Sequence, residues 1–278
     1  MKKLILTGMI LMGIQIMAYI PPAPYYSIRN NSIYWAEKEL KDIDLKTLTI
    51  ITIDGENISL KDYLNNYNSK GQIDFHFIKD KNNVYYQGEK IEGADPDTFK
   101  AVRYNYYFKD KNNVYYKEQK IKGVDPDTFE ALEHGYFKDK NNAYVSLGYK
   151  IEGADPDTFE VLGYRYSKDK NNVYNYKEKI EGADPDTFEI LKHDYSKDKN
   201  NVYYQGKKIK DADSATFEVL NSIYCQDSYS KDKSNVYYEG KKIKDADPVT
   251  FELSNKLNVN YDAKDKNHKY RYGKITAD

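Results

Sequence analysis

Residues 79–86 read KDKNNVYY, the same eight letters return at 109–116, and variants begin at 138, 168, 197, 231 and 264. The octapeptide combines an acid, amides and paired tyrosines, the residue types that ligate calcium or stack on sugar rings. Its aspartate falls at Asp80, Asp110, Asp139, Asp169, Asp198, Asp232 and Asp265. An EF-hand loop needs oxygen-bearing side chains at alternate positions, a glycine at the sixth and a closing glutamate. Asp80 and Asn82 meet the first and third positions, but Val84 stands at the fifth and no glycine follows it. Nine-residue calcium repeats need a glycine pattern that is also missing. Asp and Asn fold back on nearby backbone amides and tolerate left-handed conformations. The octapeptide therefore reads as a turn.

The tyrosines are the second candidate. Along a strand, VYY points Tyr85 and Tyr86 to opposite faces. An outer set, Tyr86, Tyr116, Tyr204 and Tyr238, would form a column, interrupted by Val145 and Asn175. Such a column could bind glycan rings or a protein, or be the seam between repeats, because a chain with few aliphatic residues must bury tyrosine. His134 and His193 occupy equivalent positions, with Tyr104 and Tyr164 there in the alternate repeats. They lie two repeats apart, too far for one metal at about 10 Å per packed sheet. His76 and His268 have no companions, so no metal site is assigned. No nucleophile elbow, phosphate loop, dinucleotide loop or zinc motif is present. The irregular stretches 52–77 and 221–230 pair no nucleophile with a histidine, so no catalytic residue and no cofactor is expected.

These residues sit in a regular frame. A second aspartate follows at Asp95, Asp125, Asp155, Asp184, Asp213 and Asp247, at separations of 15, 15, 16, 15, 15 and 15 residues. From there to the next DKN-type turn the chain runs 15, 14, 14, 14, 19 and 18 residues. The near-constant part is the block and the variable part a connector, since length variation belongs in surface loops. Within a block, the DKN turn joins two short strands, and a turn at Gly88 leads into a third. ADPDTF then predicts a short helix: Asp95 (like Asp125, Asp155 and Asp184) as N-cap, Pro96 at the first position, Asp97 at the positive end of the dipole and Ala94 with Phe99 as a staple. A helix of two or three turns is not stable alone, so Phe99 and Val102 must pack on strands.

Residues 32–51 align with 83–102 as a degenerate first unit: Ile33 on Val84, Tyr34-Trp35 on Tyr85-Tyr86, Leu40 on Ile91, Asp44 on Asp95 and Leu48 on Phe99. The fold class is therefore mainly β with short helices (α+β), an open tandem array of ~30-residue units, each a hairpin or three-stranded element with a capped short helix. A propeller is disfavoured because a four-stranded blade usually takes 40 or more residues, while a closed ring or propeller-like arrangement stays the alternative because the first unit lacks a leading strand that the last unit could supply. The domains are a signal peptide at 1–18, a Pro-rich linker at 19–27 and a repeat domain at 28–278. The last comprises the first unit (28–51), an insert (52–77), repeats (78–263) and a truncated final unit (264–278).

Lys2 and Lys3 precede the apolar LILTGMILMGIQIMA and the small residue Ala18, the layout of a secretory leader. The leader implies export to the periplasm, cell envelope or medium, with cleavage after Ala18 and no membrane segment after its removal, the alternative being an uncleaved N-terminal anchor. One cysteine, Cys225, leaves an exported chain without an internal disulfide. With 43 basic and 44 acidic residues the chain has no electrostatic footprint for nucleic acid. No feature fixes an oligomeric state.

The blocks KDKNNVYY and IEGADPDTFEVL resemble the bacterial DKNYY family, over about residues 28–278. The departures are Lys117-Glu118 in place of Gln87-Gly88, Ser214 in place of the proline, and Asp211 and Asp245 in place of glycine. The resemblance implies an exported repeat protein and supplies no catalytic residue. The expectation is a non-enzymatic scaffold with a protein or glycan partner at the cell surface; the alternative is a module that binds or processes glycans through its surface tyrosines.

Overall fold

A computed structural model describes residues 26–52, 56–66, 72–73, 77–102, 107–221, 229–254 and 260–276. The leader expected at 1–18, His76, Tyr104 and Cys225 lie outside the described residues. No helix among the described residues is long and apolar enough to cross a membrane. The chain divides into two compact units, residues 1–52 with 57–92 and residues 53–56 with 93–278.

In the second unit the repeat becomes a series of four-stranded antiparallel meanders. The first pairs Lys100–Val102, Tyr107–Lys109, Val114–Tyr116 and Gln119–Ile121 in chain order. Register is fixed by the DKN turn, with Tyr107 opposite Tyr116, Phe108 opposite Tyr115 and Lys109 opposite Val114. Five further sheets repeat this order, ending with Glu252–Leu253, Ala263–Lys264, Lys269–Arg271 and Lys274–Ile275. None of the described sheets closes into a barrel.

The capped helix expected at ADPDTF does not form. Thr98 N–H does donate to Asp95 Oδ1 (3.1 Å), and Phe99 N–H to the Asp95 carbonyl (2.9 Å). The chain then leaves the helical path after one turn, and the residues past the phenylalanine become the first strand of the next sheet, as in Glu130–Ala131 and Glu160–Val161. One turn cannot repay helix nucleation, whereas a β-branched residue against the next strand gains ladder bonds and packing. The same residues supply the strand that the three-stranded expectation lacked. Four strands fit into about thirty residues because each is only two or three residues long.

Both faces of each inner sheet are covered. Val114 and Tyr115 point to opposite faces, yet both are buried. Within one layer, Tyr107, Val114 and Ile121 of one sheet meet Phe137 and Tyr144 of the next, with Val124 and Phe129 filling in from the connecting turn. The pattern recurs as Tyr195, Val202, Ile209 and Phe217 against Tyr237, and as Tyr229, Val236, Ile243 and Phe251 against Tyr270. Tyrosine is thus the main core residue, its ring dry and its hydroxyl commonly led to a polar partner, as Tyr115 to Asp110 and Tyr203 to Asp198, although the buried Tyr136 hydroxyl makes no hydrogen bond among the described residues.

The first unit holds a four-stranded sheet (in order Lys38–Leu40, Ser32–Trp35, Tyr26–Arg29, Gln72–Ile73) and a five-stranded sheet (Asn57–Ser59, Thr49–Ile51, Phe77–Lys79, Val84–Tyr86, Glu89–Lys90). Its helix, Leu60–Asn66, is the sole α-helix among the described residues. Ser59 caps it, accepting from Asp62 N–H at 3.1 Å, and Tyr63 is buried beneath it.

Candidate functional site

The repeated aspartate is a hub with four hydrogen-bond donors. Asp198, 2% exposed, takes the backbone N–H groups of Asn200 and Asn201 on Oδ1 (2.7 and 2.8 Å). Its Oδ2 takes the N–H of Asp184 in the preceding block (3.0 Å) and the hydroxyl of Tyr203 in its own (2.8 Å). The first two bonds shape the hairpin. The third ties two successive blocks together, and the fourth satisfies a core tyrosine. The same four donors surround Asp110, Asp139, Asp169, Asp232 and Asp265. Asp80 accepts from Asn82, Asn83 and Asp44, so Asp44 holds the place aligned with Asp95.

Two reciprocal contacts complete this clasp. The lysine of each DKN-type turn reaches the second aspartate of the block before: Lys111 to Asp95 (2.5 Å), Lys140 to Asp125 (2.6 Å), Lys170 to Asp155 (2.9 Å), Lys199 to Asp184 (2.7 Å), Lys233 to Asp213 (2.6 Å) and Lys266 to Asp247 (2.8 Å). The backbone N–H of the same lysine donates to the threonine of DPDT, as Lys199 does to Thr187 (3.2 Å). The two motifs are the two halves of one joint, closed at seven places counting Lys81 with Asp44 and Thr47. The lysine bond is the main cause holding Asp184 below the usual carboxylate range. Burial alone would raise Asp198, but the amides of Asn200, Asp184 and Asn201 with the Tyr203 hydroxyl bring it below that range. Asp184 and Asp198 are therefore ionised and engaged on both sides of the joint, which fits a fastener. No cluster of metal-ligating side chains occurs among the described residues.

The outer tyrosines are half-buried. Tyr86 packs against Phe77 with ring centres 4.6 Å apart. Tyr204 and Tyr238 lie beneath the tight turn of the following sheet: a Cβ on Gly240 would fall 2.6 Å from Tyr204 Cβ, and one on Gly273 would fall 2.6 Å from Tyr238 Cβ. Trp35 and Asn175 lie in the same way beneath Gly88 and Gly206. These positions form a seam between sheets. Tyr116 differs. The turn of the next sheet is one residue longer, and its Gly148 packs on Ile121 instead.

His134 and His193 both hold left-handed turn positions (φ 55° and 54°) just ahead of the second strand. His193 Nε2 lies 3.3 Å from Asn221 Oδ1. The contact between blocks is the feature that motif reading missed. Its signal was present in the 14 or 15 residues that separate the second aspartate from the next turn at four of six joints. The DKNYY family model matches the chain at residues 22–119, 107–228 and 136–274, three overlapping stretches that follow the repeat. No curated protein and no solved structure matches it.

Proposed function

The chain belongs to the DKNYY family, and from that premise we propose that it is an exported, non-enzymatic scaffold of the cell envelope or surface. Its second unit is a succession of small antiparallel sheets, and repeat arrays offer an extended surface that suits proteins or polymers. The observation that carries this reading is the clasp. The acids, lysines and threonines that recur are engaged in joining blocks, and the joint needs no disulfide. That suits an exported chain with a single cysteine. The leader at 1–18 supports export. Fractionation with mass spectrometry of the mature N-terminus tests it: a chain beginning at Tyr19 outside the cytoplasm is expected, and a full-length cytoplasmic chain overturns the reading.

The second reading, glycan binding through outer tyrosines, narrows. Tyr204 and Tyr238 lie under glycine turns that press on their Cβ and one ring edge, which takes part of each ring out of reach of a sugar. The position that keeps the reading alive is Tyr116.

A further inference from the structure

We propose that a cavity beside Tyr116 binds the ring of a neutral saccharide. This deepens the glycan reading of the scaffold and rests on it. The cavity, about 450 Å³, breaks the repeat in the second unit and includes Tyr116, His134, Gly135, Ser146, Leu147 and Tyr164 in its lining. Its volume falls within the roughly 300–1,000 Å³ of small-ligand sites.

Two departures from the repeat open it. The first is side-chain size. Ser146 N–H bonds the Gly135 carbonyl (2.8 Å), as Tyr176 bonds Arg165 (2.6 Å) and Gln205 bonds Asp194 (2.9 Å), so the three pairs are equivalent. At the later joints those side chains fill the space. Arg165 Nη1 lies 2.7 Å from Asp194 Oδ1, and Gln205 Nε2 lies 3.0 Å from Asp194 Oδ2. Gly135 and Ser146 leave it empty. The second departure is the inserted residue in Ser146-Leu147-Gly148, which moves the glycine off the tyrosine it would cover. That insertion is the single 16-residue separation, Asp139 to Asp155.

The lining gives the ligand class. Tyr164 is 76% exposed and Leu147 52% exposed, both at the mouth. Tyr164 is held against His134 with ring centres 4.2 Å apart, so the plate is positioned. The Tyr107 hydroxyl is committed to the Ser146 carbonyl (2.8 Å), but the Tyr116 and Ser146 hydroxyls make no hydrogen bond among the described residues. No lysine, arginine, aspartate or glutamate lines the cavity among the described residues. An aromatic plate, an aliphatic side and unclaimed hydroxyls without charge match a pyranose, with its C–H face and its rim of hydroxyls. One cation stands beside it: Lys117 Nζ lies 5.7 Å from the Tyr116 ring centre but does not line the cavity, so an anionic sugar would find no charged partner inside it.

The test is calorimetry on the leaderless chain with cellotriose, maltotriose and chitotriose, and with trigalacturonic acid as the charged comparison. Saturable binding of at least one neutral trisaccharide is expected, and none of the acid. The double variant Gly135→Asp/Ser146→Gln installs the side chains of the Asp194–Gln205 joint, where the left-handed backbone already accepts them (φ 64° and 49°). It should weaken binding at least tenfold, as should Tyr164→Ala, while Tyr272→Ala, 57% exposed and away from the cavity, should not. If the double variant fails to fold, the exposed Tyr164 decides alone. Binding that survives these changes overturns the cavity and leaves a glycan-binding scaffold standing. Absence of any neutral-sugar binding overturns the glycan reading as well, and the export result stands apart from both.

Discussion

At the scale of the residue, one carboxylate does several jobs at once. Asp198→Asn keeps an acceptor for Asn200 and Asn201 but turns an amide group toward the Asp184 N–H, donor against donor. Losing charged, buried hydrogen bonds of this kind costs about 2 kcal/mol, and Asp198→Ala, which strands every donor, about 3–4 kcal/mol. Urea unfolding followed by circular dichroism measures both. The pH dependence comes from the direction of the shifts. Asp169, Asp198, Asp232 and Asp265 are all lowered in the folded state, because the amides and tyrosine hydroxyls outweigh the burial that would raise them. Their contribution is complete above the unfolded carboxylate range near pH 4 and is lost as pH falls through the lower folded values. At the alkaline end burial raises Tyr203 and Tyr237, with the neighbouring aspartate adding to it, and pushes Tyr195 up to about 12. A raised folded pKa gives stability that is whole below the unfolded value near 10 and lost above it. Beyond the share of the exposed rings such as Tyr149, Tyr164 and Tyr272, tyrosinate absorbance at 295 nm should therefore rise together with unfolding, and ionisation of the whole set in a still-folded chain would contradict the burial.

At the scale of the element, the sequence is a sound guide to the turns and a poor one to the segments after them. Asp95 as a cap, Pro96 behind it and the DKN hairpin depend on neighbours within five residues, and such chemistry is written locally. Whether the residues after Phe129 coil or extend depends on Tyr136–Lys138 waiting to pair with them, a contact no local propensity contains. The inward tyrosine, Tyr115 or Tyr203, was legible from alternation. The cover over the outward one was not, because it comes from the next sheet. Glycine substitutions separate these effects. Gly240 has φ 72° and sits on Tyr204, whereas Gly153 has φ 76° with nothing within 4 Å of a Cβ. Gly153→Ala should cost about 1 kcal/mol for backbone strain alone, and Gly240→Ala about 1–3 kcal/mol more for the clash. Equal midpoint shifts in urea would mean the turn does not bear on the tyrosine. The fourth strands are exposed sheet edges, and Lys207, Lys208, Lys241 and Lys242 stand on two of them. Edge lysines deter strand addition by another chain. Replacing these four with valine should bring concentration-dependent light scattering at neutral pH with little change in unfolding midpoint.

At the scale of the whole molecule, the clasp makes stability a nearest-neighbour property within the second unit. Each inner sheet there buries its faces against the sheets before and after it and is pinned to the preceding block by its aspartate. Arrays of this kind behave as coupled units, with a term for each sheet and a term for each joint. Position then decides the outcome of equal chemical damage. Asp169 joins sheets in the middle of the unit and Asp265 joins the last one, and each accepts from its own turn, the preceding block and a tyrosine. Asp265→Ala should free the final sheet alone, raising hydrogen exchange in 252–276 and leaving the main unfolding transition near its wild-type midpoint. Asp169→Ala should cut the coupling between the sheets on either side, so that one unfolding transition becomes two, with fast exchange at 155–175 and protection retained beyond. The contrast comes from where the joints lie in the series, since the bonds removed are of the same kind. If both variants gave the same single, equally shifted transition, the unit would be one cooperative block and the clasps only local turn fasteners.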